Sequence, residues 1–316
     1  MMVLISLLIV LALLLGALWA FTGQAVRRVE AALPPQGRFV EVPGARLHIV
    51  EQGDKTRPAL LLIHGLSGNL RHFTHGMSER LAADFHVIAV DRPGAGYSIR
   101  AADALAGLPT QADAMAALIA ALGLQRPVVA GHSLGGAVAL ALAQRHPDKV
   151  GALALIAPLT HTPSRVSPVF AGLDIGSAWL RRLVAHTIAL PIAKARSEAV
   201  LGLAFAPEPV PRDFALSGGG LLTVRPSHFI GASADLVSVP QDLPTLEQGY
   251  AGMTLPVGAL YGRGDRLLAP EEQGTPLIDK LPGATLELVD GGHMLPLTQP
   301  AACADFVRRV AARAAS

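Results

Sequence analysis

A serine flanked by two glycines is the residue in this sequence best placed to act as a nucleophile. Residues 131–135 read Gly-His-Ser-Leu-Gly, after the apolar run 127–130 and before a stretch rich in Ala and Leu. In this strand–turn–helix context, the G-x-S-x-G pattern exposes the serine hydroxyl at a helix N-terminus, where main-chain N–H groups stabilise negative charge. A serine that only caps the helix would explain Ser133 but not both glycines. The pattern therefore predicts Ser133 as a catalytic nucleophile.

A serine hydroxyl needs a base, and the base needs an acid to orient it. His293 lies in the loop 290–294, just past the last apolar run and before a C-terminal helical stretch. Asp265 ends the sequence Gly-Arg-Gly-Asp, which follows the apolar run 257–261. The order Ser, Asp, His is the order described for this type of turn. We therefore expect His293 as the base and Asp265 as the acid, with Asp290 as the alternative acid.

Acyl transfer also requires hydrogen-bond donors for the oxyanion. The apolar run that ends at Ile63 is followed by His64 and Gly65, which leaves room for close backbone approach. The expected donors are the main-chain N–H groups of Leu66 and Leu134, and His64 is interpreted as a residue that braces the loop. No metal ligand set and no cofactor are expected, since nothing marks a third ligand beside the pair His72 and His75.

Apolar runs of the buried type alternate with helical stretches through most of the chain. The runs are 59–63, 87–90, 128–130, 152–156, 257–261 and 286–289, and a hairpin is predicted from 38–42 and 47–51. The helical stretches are 70–83, 110–122, 134–146, 270–281 and 298–313. Such alternation predicts a mostly parallel sheet with helices on both faces. Between Pro158 and Pro256 the alternation stops, and this proline-rich span is predicted to be a helical insertion.

Several motifs together resemble the α/β-hydrolase superfamily, and more narrowly its capped serine esterase/lipase-like branch. The motifs are His64-Gly65, Asp91-Arg-Pro-Gly-Ala-Gly-Tyr-Ser98, Gly131–Gly136, Gly262–Asp265 and Gly291-Gly-His293. The resemblance covers residues 38–313 and implies an α/β-hydrolase fold with a mostly parallel eight-stranded sheet. It also implies that Ser133, Asp265 and His293 form the triad and that residues 91–98 form a structural loop beside the pocket. The core would comprise 38–158 and 251–316, and the insertion 159–250 would be a cap.

The N-terminal segment has the composition of a membrane span. Residues 1–26 contain no charged side chain, and a helix over residues 1–21 is about 30 Å long, the thickness of the hydrocarbon core. We predict an uncleaved transmembrane anchor over 1–26 and a linker over 27–37; the alternative is a signal peptide cleaved near residues 23–25. Arg27 and Arg28 favour a cytoplasmic catalytic domain, with a periplasmic one as the alternative.

Composition narrows the class of function. Charged residues make up only 16% of the chain and hydrophobic residues 51%, which excludes a disordered chain. The net charge of +2 comes without a basic block, so no nucleic-acid partner is expected. Cys303 is the only cysteine in the sequence, so no intrachain disulfide can form.

The hypothesis is a membrane-anchored serine hydrolase that acts on small, apolar carboxylic esters. The low charge of residues 159–250 supports an apolar substrate group. One alternative is other Ser-His-Asp chemistry, such as C–C bond hydrolysis, perhydrolysis or acyl transfer to an acceptor other than water. The remaining alternative, from a different class, is a non-catalytic membrane-tethered binding protein.

Overall fold

The computed structural model describes residues 1–165 and 167–314, so the predicted cap and core each include residues that lie outside it: 166, 315 and 316. The strands are β1 (Arg38–Val42), β2 (Ala45–Gln52), β3 (Ala59–Ile63), β4 (His86–Val90), β5 (Ile99–Arg100), β6 (Val128–His132), β7 (Ala152–Ile156), β8 (Val257–Gly262) and β9 (Thr285–Val289). The helices are α1 (Met2–Ala32), α2 (Arg71–Thr74), α3 (Met77–Leu81), α4 (Leu108–Ala121), α5 (Leu134–Arg145), α6 (Ala178–His186), α7 (Ala189–Phe205), α8 (Pro226–Gln248), α9 (Pro270–Lys280), α10 (Leu295–Thr298) and α11 (Pro300–Ala314).

The strands form one mostly parallel sheet in the order β1-β2-β4-β3-β6-β7-β8-β9, with β5 paired to β2. The pairs of β2 with β1, β4 and β5 are antiparallel, and the other pairs are parallel. Over residues 1–165 and 167–314, the predicted number of eight strands is therefore corrected to nine. The ninth strand, β5, has only two residues, which is too short to appear as an apolar run in the sequence.

Helices cover both faces of this sheet, as predicted. Along β3, Leu61 and Ile63 belong to one core cluster together with residues of α4 and α5. Leu60 and Leu62 belong to a second cluster, which includes residues of α3 and α11. All four leucine and isoleucine side chains are fully buried. Burial on both faces is why the central strands are continuous apolar runs rather than alternating patterns.

The span 159–250, called the cap below, separates β7 from β8 and holds α6, α7 and α8. Its described residues contain no strand, which agrees with the predicted helical insertion. The cap is joined to the core by a buried ion pair between Asp235 of α8 and Arg92, which follows β4.

The N-terminal helix is longer than predicted. Its most apolar window of 18 residues has a mean hydropathy of 2.8 and no buried residue. The helix continues through residues 27–32, so most of the predicted linker is helical, and only residues 33–37 fit that description. Residues 27–32 contain no glycine or proline, so nothing in them ends the helix. The first residue that does is Pro34, because proline disfavours helical geometry at the residue before it.

Candidate active site

Ser133 occupies a sharp turn between β6 and α5. Its backbone angles, φ 55° and ψ −122°, are unusual for a residue with a side chain. The flanking glycines make this turn sterically possible. A Cβ on Gly135 would lie 2.0 Å from the carbonyl oxygen of Ile63, and one on Gly131 would lie 2.4 Å from that of Gly135. The turn is held by a hydrogen bond from Ser133 N to Ile156 O at 3.0 Å.

Asp265 and His293 meet beyond the carboxyl ends of β8 and β9. His293 Nδ1 lies 2.8 Å from Asp265 Oδ2, and both residues are buried. The second carboxylate oxygen, Oδ1, accepts hydrogen bonds from Leu267 N and Leu268 N, each at 2.9 Å. These two bonds fix the plane of the carboxylate. Asp265 can therefore orient the imidazole by accepting a hydrogen bond from Nδ1–H, which leaves Nε2 free to act as a base.

The alternative acid, Asp290, lies elsewhere. Its side chain is fully exposed and pairs with Arg263 at 3.7 Å on the surface. Because a solvated carboxylate at that position does not contact the histidine ring, the geometry favours Asp265.

Two residues that sequence reasoning missed hold the histidine loop in place. His132 Nε2 lies 3.0 Å from the main-chain oxygen of His293, and since a carbonyl only accepts, Nε2 carries the proton. Glu208, from the cap, accepts a hydrogen bond from Gly292 N at 2.8 Å. His132 stood within the recognised motif without a role, and the position of Glu208 in the sequence carries no signal of this contact. Burial lowers the pKa of His132 well below its ordinary value, so its ring stays neutral.

The loop expected to supply the oxyanion donors, residues 64–68 (called the oxyanion loop below), lies directly beside Ser133. A Cβ on Gly65 would approach the Cβ of Ser133 to 2.9 Å. Leu134 is the first residue of α5, where main-chain N–H groups lack intrahelical acceptors. The structure thus brings the loop that contains Leu66 and the helix that begins at Leu134 to the same serine. Their role as donors remains a prediction.

The side chain of Arg92 holds the oxyanion loop through hydrogen bonds to its main-chain oxygens. Its Nε donates to His64 O at 2.9 Å and its Nη2 donates to Gly65 O at 3.0 Å. His64 Nε2 accepts from Arg92 N at 2.9 Å, while its Nδ1 donates to Gly65 O at 2.8 Å. Both ring nitrogens of His64 are therefore engaged, and burial lowers its pKa well below the ordinary value. This supports the interpretation of His64 as a bracing residue rather than a second base.

The loop 91–98 has a structural role. Asp91 Oδ1 accepts from Leu70 N at 2.7 Å, while Oδ2 contacts His48 Nδ1 at 2.7 Å and accepts from Tyr97 N at 2.8 Å. A Cβ on Gly96 would lie 2.1 Å from this carboxylate, which explains the glycine. Asp91 is thus fully occupied in tying the loop to β2 and to the start of α2.

Two further buried histidines, His72 and His228, lie near the oxyanion loop. Burial lowers the pKa of each to about 4, so both are neutral at pH 7. A Cβ on Gly68 would lie 3.1 Å from the His72 ring. Across residues 1–165 and 167–314, no group of three or more His, Cys, Asp or Glu side chains is arranged to hold a metal ion.

The fold and this arrangement define an α/β protein with a G-x-S-x-G turn and a buried aspartate–histidine pair at one edge of its sheet. The sequence profile of the alpha/beta hydrolase fold matches residues 58–300, and the chain belongs to that family.

Three known proteins illustrate the likeness. An uncharacterized protein of Mycobacterium tuberculosis is 29% identical over 304 residues, which cover 90% of this chain and 83% of that protein. A second is a membrane phospholipase A, a bacterial virulence factor, whose crystal structure superposes with a TM-score of 0.63 at 26% sequence identity. The match covers 99% of this chain and 98% of the phospholipase chain. A carboxylesterase of Bacillus subtilis shares the fold at 20% sequence identity and a TM-score of 0.67. This match covers 93% of this chain and 98% of the carboxylesterase chain.

Proposed function

We propose that this hydrolase cleaves carboxylic esters through a triad of Ser133, His293 and Asp265. The observation that carries the proposal is the 2.8 Å contact between His293 Nδ1 and Asp265 Oδ2. The loop of this histidine is tied to the strained turn of Ser133, because His132 Nε2 lies 3.0 Å from the main-chain oxygen of His293. Residues with strained backbone conformations are found mainly at functional sites, which supports a functional role for Ser133.

In the proposed reaction, Ser133 Oγ attacks the acyl carbonyl while His293 Nε2 takes the hydroxyl proton. The main-chain N–H groups of Leu66 and Leu134 donate to the oxyanion. Collapse of the tetrahedral intermediate releases the alcohol, which receives the proton from His293, and leaves an acyl-enzyme on Ser133. Water, deprotonated by His293, then releases the carboxylic acid and restores the serine.

We further propose that α1 anchors the hydrolase in a membrane, with the catalytic domain on the cytoplasmic side, where Arg27 and Arg28 would lie. The length and hydropathy of α1 support this, as does the likeness along nearly the whole chain to a membrane phospholipase A. The same likeness favours an apolar, lipid-derived ester as the substrate. A fusion of alkaline phosphatase after residue 40 tests the orientation, because high phosphatase activity would place the domain in the periplasm.

The chemistry is tested by turnover of p-nitrophenyl esters of increasing chain length by the full chain in detergent. Ser133→Ala is expected to lower kcat by roughly 10³-fold or more. A fluorophosphonate probe is expected to label the wild-type protein on Ser133 and to leave the variant unlabelled.

The matched control is Ser197→Ala, which removes an exposed hydroxyl on α7 and is expected to leave turnover and labelling unchanged. Retained turnover in Ser133→Ala, or a probe adduct on another residue, would refute the assignment of the nucleophile.

A further inference from the structure

The membrane-type helix and the cap are in direct contact. The indole of Trp19 stacks on the imidazole of His186 in α6, with ring centroids 4.2 Å apart and planes 10° apart. Farther along α1, Glu30 pairs with Arg225 at 2.8 Å, and Val29 packs with Leu222. These contacts hold the body of the protein at a defined position along the helix axis.

That position corresponds to the end of the apolar segment. Trp19 lies near the C-terminal end of the uncharged run 1–26, where a spanning helix leaves the hydrocarbon and aromatic rings are enriched. Because His186 stacks on Trp19, α6 lies at the level of the lipid headgroups when residues 1–21 span the bilayer.

The cap is unusually apolar on its surface at this level. Of the seven large hydrophobic side chains that are exposed outside residues 1–32 among the described residues, four fall within residues 179–192. They are Trp179, Leu180, Ile188 and Ile192, which are 69%, 38%, 41% and 47% exposed. Trp179 precedes His186 by seven residues, or two helical turns, so both lie on the same face of α6.

Basic side chains follow this segment. Lys194 and Arg196 are exposed on α7, together with one acid, Glu198. Apolar side chains beside Lys and Arg are typical of protein surfaces that lie in the interface of a membrane with anionic lipids.

We propose that residues 179–192, called the interfacial segment, rest on the surface of the phospholipid bilayer that α1 spans. This inference depends on the proposed anchoring role of α1. The segment inserts its apolar side chains at the boundary between headgroups and acyl chains, which makes the cap the part of the hydrolase nearest to lipid.

The two tryptophans of the chain provide the test, because one lies in α1 and the other in the interfacial segment. The full chain is reconstituted in vesicles of phosphatidylcholine and phosphatidylglycerol whose acyl chains carry bromine near the headgroup end. Trp179→Phe leaves Trp19 as the only tryptophan and reports on the anchor. Trp19→Phe leaves Trp179 and reports on the segment, while its phenyl ring preserves the stack on His186.

We expect bromine to lower the fluorescence of each tryptophan by on the order of half. An interfacial side chain lies about 5–10 Å deep in the bilayer, which brings it into contact with the bromine atoms. The matched control carries both Phe substitutions and Leu288→Trp, which puts a half-exposed fluorophore on the edge strand β9. This tryptophan is expected to remain unquenched. Circular dichroism checks that each variant is folded.

Quenching of Trp19 without quenching of Trp179 would overturn the inference and leave the anchor intact. If neither tryptophan is quenched, the anchoring role fails and the inference fails with it. Emission of Trp179 that shifts to the blue with protein concentration, without quenching by bromine, would show that a second copy of the chain covers the segment, and would also overturn the inference.

Discussion

The guanidinium of Arg92 lies 2.7 Å from the carboxylate of Asp235, with both side chains almost completely buried. This contact crosses from the core to the cap, because Arg92 follows β4 and Asp235 belongs to α8. The same guanidinium donates to the carbonyl oxygens of His64 and Gly65 in the oxyanion loop. One arginine therefore connects the cap to the loop beside Ser133.

Replacement of Asp235 by Asn is expected to destabilise the protein strongly. The substitution leaves the buried charges of Arg92 and Arg100 without a carboxylate, since Arg100 Nη1 also contacts Asp235, at 2.6 Å. Loss of one partner from a buried charge cluster costs about 3–5 kcal/mol. Thermal unfolding in detergent measures the effect as a lowered Tm, and ester turnover is expected to fall as the oxyanion loop loosens.

The control for this prediction is Asp84→Asn. Asp84 pairs with Arg308 at 2.8 Å, but both side chains are more than a third exposed. Exposed pairs contribute less than about 1 kcal/mol, so Tm should barely change. Equal effects of the two substitutions would show that the Arg92–Asp235 contact has no special role.

Asp265→Asn is expected to lower kcat by about 10³–10⁴-fold while the protein stays folded. The Asn carbonyl oxygen can still accept the hydrogen bonds from Leu267 N and Leu268 N, so the loop is preserved. The amide nitrogen, however, donates to His293 Nδ1 and forces the proton onto Nε2, where the ring no longer serves as a base. Turnover and Tm are measured together on the same preparation. Activity close to wild type would contradict the assigned acid, and Asp290→Asn is the control that should leave turnover unchanged.

The central strands and the three proposed triad positions could be predicted because local sequence determines them. The strands are buried on both faces and are therefore continuous apolar runs. Ser133, Asp265 and His293 each follow such a run in a glycine-containing turn. The carboxyl ends of parallel strands converge at one edge of the sheet, so residues far apart in sequence were expected to meet there.

Contacts made by the cap could not be predicted in the same way. Glu208 and Asp235 reach the core from the insertion, where irregular helices follow no strand periodicity. Which core group each one meets depends on how the whole cap packs. Similarly, the length of α1 was underestimated because charged residues appear at Arg27, although charge does not end a helix.

Gly135→Ala is expected to prevent formation of the serine turn, because the new methyl group would lie 2.0 Å from the carbonyl oxygen of Ile63. Backbone atoms on both sides must then shift, so the soluble yield in detergent and Tm should fall sharply. Gly202→Ala is the matched control, since its Cβ meets no atom within 4 Å on exposed α7. There the substitution should stabilise the protein by about 0.5–1 kcal/mol. A normal Tm for Gly135→Ala would disprove the proposed strain.

Stability is expected to fall in mild acid because of His72 and His228. Burial lowers the pKa of each to about 4 in the folded protein, against 6.5 when exposed. The unfolded chain therefore binds protons first, and each histidine contributes stability that is complete above pH 6.5 and is lost as the pH falls toward 4. At pH 5 the loss is about 2 kcal/mol for each histidine.

His72→Phe should reduce the drop in Tm between pH 7 and pH 5, because the phenyl ring cannot be protonated. Phe214→Leu, which alters a ring 6.0 Å from His72 without a titrating group, should lower Tm equally at both pH values. An unchanged pH dependence in His72→Phe would show that His72 does not bind a proton on unfolding in this range.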